Sequence, residues 1–315
     1  MAIAAACCAL TACVSPSTAS LPGQGVSPLA RSGGRVLYAE LAEGDIFSGY
    51  KGTQKKSFCS NPYGSRGTLV NSIGTDADGN LWVPISPSQG GGYIYSFAPN
   101  CGAQGATLSA PANAQPIGVA FGPDGTKYGL MVYDLDSTSV AVYPTGASSP
   151  SYELTDPRLN GAKSGGYSGD GIGVDAAGHV YVACCGGFIS AELPHFVIKF
   201  NGHGSQTRGR KIPLRKMTRP GGSVTFDQSG NMIIPDVFAE SLRIYTPPYG
   251  GDPITYPLKG SPYQCALSPG QDVIACSNTQ TYTVDIYAYP LVSYLYSLKS
   301  PSVSKIPVLG VAFSN

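Results

Sequence analysis

Two aspartates in one glycine-rich stretch could either bind a metal ion or shape a turn. The stretch runs from Gly169 to Val182 and reads GDGIGVDAAGHVYV, with Asp170 and Asp175 as its two carboxylates. Carboxylate oxygens are ligands that hard cations such as Ca²⁺ prefer. An aspartate followed three residues later by glycine is equally typical of a tight turn between two strands. The elements that position the two residues decide between these chemistries.

The hairpin pattern of this stretch recurs along the chain. Each copy has an apolar strand, a tight turn and a second apolar strand, and most copies are followed by a strand of alternating aromatic and aliphatic residues. A period of about 40 to 50 residues with several strands per unit is typical of propeller blades. In this alignment Asp175 is a turn residue and Asp170 stands at the start of an innermost strand. The aligned turn positions are Asp76, Gly122, Asp175, Asp227, Ser268 and Ser314.

The two ends of the chain complete one repeat. The last unit stops after the strand that precedes Ser314, and two strand-like segments, 35–40 and 45–50, stand alone near the beginning. We therefore predict an all-β fold, a six-bladed β-propeller closed by a blade shared between N- and C-terminal strands. Closure removes exposed sheet edges, which favour aggregation. Residues 35–315 would form this single domain.

Composition supports a turn-rich all-β protein. The chain has 41 glycines and 26 prolines, and only 12% of its residues are charged. The net charge of +1 argues against bulk nucleic-acid binding, which needs a strong basic excess. We expect a monomer without a nucleic-acid partner. The basic run Thr207–Arg219 is interpreted as a solvated connection between the fourth and fifth units, with contact to an anionic surface as the alternative.

The N-terminus favours export. Residues 1–13 are apolar and end in Leu10-Thr11-Ala12-Cys13, which resembles the lipobox of bacterial lipoproteins, although no Lys or Arg precedes it. Lipidation of Cys13 would anchor the protein to the membrane of the bacterial cell envelope. The alternatives are an ordinary cleaved signal peptide, with a secreted product, or an apolar start without function. Residues 14–34 are rich in small, polar and proline residues, which predicts a flexible linker.

An even number of cysteines follows Cys13, as expected for disulfides in an exported chain. A turn over residues 268–272 would place Leu267 opposite Val273 and Cys265 opposite Cys276, within bonding reach. Cys59 and Cys101 are the second candidate pair, and the role of Cys184 and Cys185 stays open. Zinc is the rival interpretation, but the sequence has no CxxC motif.

The hairpin motif carries a family resemblance. The pattern D-x-x-G-x-[LV]-[YW]-V, present at Asp76–Val83 and Asp175–Val182, resembles the NHL-repeat type of six-bladed propeller and, more distantly, the gluconolactonase/senescence-marker-protein family. The second resemblance implies a divalent metal on the propeller axis, held by Glu, Asn and Asp at the starts of innermost strands. The aligned column in this chain is Asn71, Ile117, Asp170, Gly222, Tyr263 and Leu309.

This column matches the family only in part. Asp170-Gly171-Ile172 fits the family's D-G-[ILM] motif and Asn71 shares its column, but Ile117 and Leu309 replace oxygen-bearing ligands. Two such side chains rarely suffice for a hard cation. No cofactor is therefore predicted, and calcium or another divalent metal at Asp170 and Asn71 is kept as the alternative. The simpler interpretation is that Asn71, Asp170 and Tyr263 are polar residues lining a wet axial channel that binds a ligand.

The sequence thus favours an exported, lipid-anchored, NHL-like binding or interaction module over an enzyme. Its partner would be a protein, a small molecule or a carbohydrate. One alternative is a metal-dependent lactonase-like hydrolase with its site on the propeller axis, and another is a structural interaction domain of the envelope. No catalytic residue is assigned, because the stretch from Gly166 to Asp170 lacks the last glycine of a nucleophile elbow.

Overall fold

The computed structural model of the chain describes residues 37–41, 46–49, 58–59, 72–86, 91–99, 101–133, 137–160, 169–184, 194–299 and 307–314. The predicted leader, residues 1–13, with its lipidation site Cys13, lies outside these residues. So do the predicted linker, residues 14–34, and Asn71.

The described residues form an all-β propeller. Their 24 strands make six four-stranded antiparallel sheets, which we number 1 to 6 along the chain. The described residues include one short 3-10 turn, Pro157–Leu159, and no helix among them is long and apolar enough to cross a membrane. The strands are β1 Leu37–Leu41, β2 Ile46–Gly49, β3 Phe58–Cys59, β4 Gly74–Thr75, β5 Leu81–Ile85, β6 Tyr93–Phe97, β7 Gln104–Ser109, β8 Ala114–Phe121, β9 Lys127–Tyr133, β10 Ser137–Tyr143, β11 Tyr152–Leu154, β12 Gly169–Val174, β13 Val180–Cys184, β14 Phe196–Phe200, β15 Arg210–Pro213, β16 Thr225–Phe226, β17 Met232–Asp236, β18 Ser241–Tyr245, β19 Ile254–Pro257, β20 Pro262–Leu267, β21 Val273–Asn278, β22 Thr283–Ala288, β23 Ser293–Lys299 and β24 Val308–Phe313.

Five sheets are each built from four consecutive strands. Sheet 2 is β4–β7, sheet 3 is β8–β11, sheet 4 is β12–β15, sheet 5 is β16–β19 and sheet 6 is β20–β23. Sheet 1 is composite, in the order β24-β1-β2-β3. Within it Ala39 pairs with Val311 and Tyr38 pairs with Ala312, so strands from the two ends of the chain lie side by side.

The apolar core lies between the sheets rather than in one central mass. Each of six clusters of buried side chains combines residues of two sheets. One example is the contact of sheets 4 and 5, where Tyr181 and Val197 pack with Val224 and Met232. The pattern follows from strand geometry, because successive side chains point to opposite faces and both faces of each sheet are covered.

Both predicted disulfides are present. Cys59 is bonded to Cys101, and Cys265 is bonded to Cys276 across strands β20 and β21. The predicted partner of Leu267 was wrong by one residue, since Leu267 pairs with Ile274 and not with Val273. The Ser268 amide instead donates to the Val273 carbonyl and closes the turn.

The basic run is more ordered than the sequence predicted. Arg210–Pro213 forms β15, which pairs with β14, so this part is the outer strand of sheet 4. Met217 is buried, and Arg219 at the end of the run is only 9% exposed. The five other basic residues of the run, Arg208, Arg210, Lys211, Arg215 and Lys216, are exposed, as expected for a solvated connection.

Asp175 is a turn residue, as predicted. Its carboxylate accepts from the amides of Ala177 and His179 at 3.0 and 2.9 Å and from the Tyr181 hydroxyl at 2.8 Å. Burial by itself would raise the pKa of this carboxyl, but the hydrogen bonds from His179 and Tyr181 outweigh it and hold the pKa below its usual value. Asp76 and Asp227 bind the equivalent amides of their own turns.

We predict that Asp175→Asn lowers the free energy of unfolding at neutral pH by about 1–2 kcal/mol, since charge-assisted hydrogen bonds are lost. A carboxyl with a lowered pKa stabilises the fold above its unfolded pKa of about 3.9, and this stabilisation is lost as pH falls through the folded-state value. Denaturant unfolding should therefore show a difference from wild type that shrinks below about pH 4. Asp78→Asn, at an exposed turn position, is the control. A difference that is independent of pH would contradict this role.

Candidate functional site at the starts of the innermost strands

The column predicted from the sequence is a column of β-bulges. The strand register shifts at Ile117 in β8, at Asp170 in β12 and at Tyr263 in β20. In β24 it shifts at Leu309, which has no partner between Glu40 and Leu41 of β1. A bulge takes a residue out of the hydrogen-bonded ladder and re-aims its side chain. The four positions are therefore structurally equivalent. Asp170, Tyr263 and Leu309 are the second residues of their strands, whereas Ile117 is the fourth residue of β8.

The described residues do not fit a divalent cation at this column. Asp170 is its one described carboxylate, Ile117 and Leu309 are apolar, and Gly222 has no side chain. Across the described ranges no group of three His, Cys, Asp or Glu residues could hold a metal ion. A calcium ion takes about six to eight oxygen ligands. A metal held by Asp170 and Asn71 therefore stays a prediction from the family resemblance.

A glycine-packed segment lies between Asp170 and Tyr263. A methyl group on Gly171 would stand 2.6 Å from the Ser223 amide nitrogen, and one on Gly221 would stand 2.2 Å from the Tyr263 carbonyl oxygen. The Gly222 amide donates to that same carbonyl at 2.7 Å. These contacts are closer than any side chain permits, so glycine lets the segment fit between β12 and β20.

Tyr263 lies near two opposite charges. Removal from bulk water, together with the nearby Asp170 carboxylate, raises the pKa of its hydroxyl far above the usual value, while the Arg219 guanidinium acts in the opposite direction. Because the net pKa shift is upward, the Tyr263 hydroxyl is neutral at physiological pH and can donate a hydrogen bond. Asp170 and Arg219 therefore both lie within electrostatic range of the Tyr263 hydroxyl, and we call the region around these three residues the mouth.

Arg219 carries an exposed aromatic neighbour. Its guanidinium carbon lies 5.1 Å from the centre of the Phe238 ring, a cation–π arrangement. Phe238 is 54% exposed, which is unusual for a phenylalanine beside a buried cation. The pair adds an apolar surface to the edge of the mouth.

Asp236 fixes this edge. Its fully buried carboxylate accepts from the amides of Thr218 and Arg219, both at 3.0 Å, and from the Ala239 amide at 3.4 Å. Arg243 neutralises the charge through its Nε and Nη2 atoms at 3.0 and 2.9 Å. Asp236 therefore ties the segment before Arg219 to the turn that holds Phe238.

The innermost strands enclose a cavity. A cavity of about 370 Å³ is lined by residues of all six innermost strands, including Ile73, Val119, Ile172, Gln264 and Val311. Asp170 and Tyr263 are not among its lining residues, so the wet axial channel lined by Asn71, Asp170 and Tyr263 stays a prediction.

Arg219 and Phe238 were not predicted as site residues. Arg219 was read as the end of a basic run, although it directly precedes Pro220-Gly221-Gly222, whose last glycine belongs to the aligned column. That adjacency was the signal available in the sequence. Phe238 gave none, because its place beside Arg219 depends on the buried Asp236.

A sequence model of the SMP-30/gluconolactonase/LRE-like region matches residues 16–222, more than half of the chain. The chain belongs to this family. No curated protein matches the sequence.

Solved structures support the propeller fold of this family member. The chain is similar to one in the crystal structure of a nidogen/laminin complex, with a TM-score of 0.62 and 14% sequence identity. The match covers 90% of this chain and 99% of the other. At this identity the likeness shows the fold alone.

We predict that Gly221→Ala disturbs the mouth, because its methyl group would collide with the Tyr263 carbonyl. The free energy of unfolding should fall by about 2 kcal/mol, as in other overpacked sites. Gly250→Ala is the matched control, since a methyl group there meets nothing within 4 Å and should be nearly neutral. Denaturant unfolding measures both variants, and equal stability of the two would refute the tight packing.

Proposed function

We propose that the chain is an exported binding propeller that holds a small ligand at the axial mouth formed by Asp170, Tyr263 and Arg219. The observation that carries this proposal is the close packing of the strand starts that hold Asp170 and Tyr263 against the glycine segment that follows Arg219. Pockets with a few convergent polar groups and perturbed titration are typical binding sites. Asn71, in the same aligned column, would add a further polar contact, and the ligand would be a small molecule or carbohydrate. If the ligand is instead a protein, one of the partner's side chains would contact this mouth.

The proposal includes a ring of six blades with sheet 1 as the shared blade. Sheet 1 packs on both of its neighbours: Leu37 lies in one cluster with Val273 of sheet 6, and Tyr38 lies in another with Leu81 of sheet 2. The side chain of Gln264 supports the same arrangement. Its Oε1 atom accepts from the amides of Ile73 and Val311 at 3.1 and 2.9 Å, and its Nε2 atom donates to the Ile73 carbonyl at 2.8 Å.

We further propose that the protein works outside the cytoplasm as a monomer, attached to the bacterial envelope through a lipid on Cys13. The two disulfides support an oxidising compartment, where such bonds persist. The lipobox-like Leu10-Thr11-Ala12-Cys13 supports the anchor. A secreted product of ordinary signal cleavage is the alternative outcome.

A lactonase-like hydrolase is the second candidate. Membership in the SMP-30/gluconolactonase/LRE-like family and the position of Asp170 at the mouth favour it. Metal analysis of the purified protein and a lactone-hydrolysis screen test this candidate. Metal binding and turnover that are both lost in Asp170→Ala would establish it in place of the binding module. A purely structural envelope domain is the third candidate. It would be favoured if no ligand binds at the mouth.

We predict that a ligand from a library of metabolites and carbohydrates raises the melting temperature of the wild type by about 5 °C at saturating concentration. Asp170→Asn and Tyr263→Phe should each reduce this shift, because they remove a polar contact at the mouth. Asp78→Asn should retain it. Thermal denaturation followed by calorimetric titration measures the effect. A ligand that stabilises Asp170→Asn and wild type equally would place the binding site elsewhere.

A further inference from the structure

A second surface carries positive charge that the rest of the molecule does not balance. It consists of five exposed side chains on and beside β15, the outer strand of sheet 4, which we call the basic edge: Arg208, Arg210, Lys211, Arg215 and Lys216. One carboxylate, Asp252, forms an ion pair with Lys216 at 2.8 Å and lies within electrostatic range of Arg215. Across the described ranges the other three cations form no ion pair. Because the whole chain is nearly neutral, this charge is a local feature.

Buried apolar residues hold the basic edge in place. Ile212, Leu214 and Met217 interrupt the basic run and pack in the core between sheets 4 and 5. The Arg215 carbonyl accepts a hydrogen bond from the Tyr245 hydroxyl at 2.9 Å. The main chain is therefore fixed at several points while the basic side chains lie outside. A fixed array of charges loses less conformational entropy on binding than a flexible tail does.

The basic edge also contains a like-charge contact. Arg210 pairs in register with Lys199 of β14, so the two side chains lie on the same face of sheet 4. The charge of Lys199 is compensated by the Asp175 carboxylate, 3.9 Å away. No described residue compensates Arg210 in this way. Like charges opposite each other on a sheet lower its stability, and a bound anion would remove that cost.

We propose that the basic edge binds an acidic polysaccharide outside the cytoplasm. None of its five residues belongs to the mouth, so the inference adds a second site to the proposed function and rests only on the proposed export. An acidic polysaccharide carries carboxylates or sulfates in a row along an extended chain, which complements cations spaced along a strand. Guanidinium groups bind such anions with parallel hydrogen bonds.

The position of sheet 4 favours a polymer over the membrane as the partner. In the proposed ring, sheets 2 and 3 separate sheet 4 from sheet 1 on one side, and sheets 5 and 6 separate the two on the other. Sheet 1 holds β1, which follows the predicted linker from Cys13. The basic edge therefore faces away from the side at which the chain would be anchored. Proposed export also argues against nucleic acid as the partner.

The test compares charged and uncharged forms of the same polymer, using the full-length protein. Polygalacturonate is paired with its methyl-esterified form, and dextran sulfate is paired with dextran, each immobilised for biolayer interferometry. At an ionic strength of about 0.1 M, we expect at least one charged polymer to bind at least about tenfold more tightly than its uncharged form. This preference should disappear at about 1 M salt, where the Debye length is about 3 Å.

Substitutions at the basic edge should change the affinity in both directions. The triple variant Arg208→Gln, Arg210→Gln and Lys211→Gln should weaken polysaccharide binding by about tenfold or more. Asp252→Asn should strengthen binding about threefold, because it removes the one carboxylate that pairs with Lys216.

A matched control removes the same net charge elsewhere. The triple variant Lys127→Gln, Lys259→Gln and Lys299→Gln lies outside the basic edge and should bind within about twofold of wild type, because distant exposed charges are screened. Asp170→Asn should also leave polysaccharide binding unchanged, since it alters the mouth. Near-ultraviolet circular dichroism checks that each variant keeps its tertiary packing.

Equal binding of the charged and uncharged forms in both pairs overturns the inference. So does a triple variant of the basic edge that binds no more weakly than wild type or the matched control. Tighter binding to phosphatidylglycerol vesicles or to single-stranded RNA than to either acidic polysaccharide would also overturn it, because the partner would be of another class. These failures leave the small ligand of the mouth intact, whereas loss of polysaccharide binding in Asp170→Asn would move the polysaccharide site to the mouth.

Discussion

The pairing of β1 with β24 is the constraint on which the other contacts depend. It joins segments that are more than 260 residues apart in the chain, and it places sheet 1 against sheets 6 and 2. Closing so long a loop costs entropy, which the buried contacts on both faces of sheet 1 must offset. Gln264 strengthens the junction, because one buried amide satisfies main-chain groups of both Ile73 and Val311. Without that junction the innermost strands would have no fixed common axis.

The candidate site lies where the innermost strands begin. Bulges at equivalent positions turn Asp170 and Tyr263 out of their ladders, and glycines let the strand starts approach one another closely. The buried Asp236 carboxylate then fixes the main chain of Arg219 by accepting hydrogen bonds from the amides of Thr218 and Arg219. Family membership accounts for the propeller architecture. Our proposal of binding rather than metal-dependent hydrolysis rests on the apolar residues Ile117 and Leu309 in the aligned column.

Much of the fold could be predicted from local chemistry. Turn residues such as Asp175 and the pair Cys265–Cys276 follow from short-range rules, because hairpins are fixed by neighbouring residues. Even there the expected partner of Leu267 was wrong by one residue, since a ladder that pairs Cys265 with Cys276 pairs Leu267 with Ile274. The site was only half predictable. Asp170 and Tyr263 follow from repeat alignment. Arg219 was missed although it stands beside the aligned Gly222, and Phe238 depends on the buried Asp236, which no local pattern reveals.

The most direct measurement of ring closure is a disulfide engineered between the two ends of the chain. Ala39→Cys with Val311→Cys joins directly opposed residues of β1 and β24, while Ala39→Cys with Ala312→Cys is shifted by one residue to the other face of the sheet. Peptide mapping by mass spectrometry should find the new bond in the first variant and not in the second, and oxidation should raise the melting temperature of the first. Equal cross-linking of both variants, or of neither, would contradict the shared sheet and with it the common axis of the site.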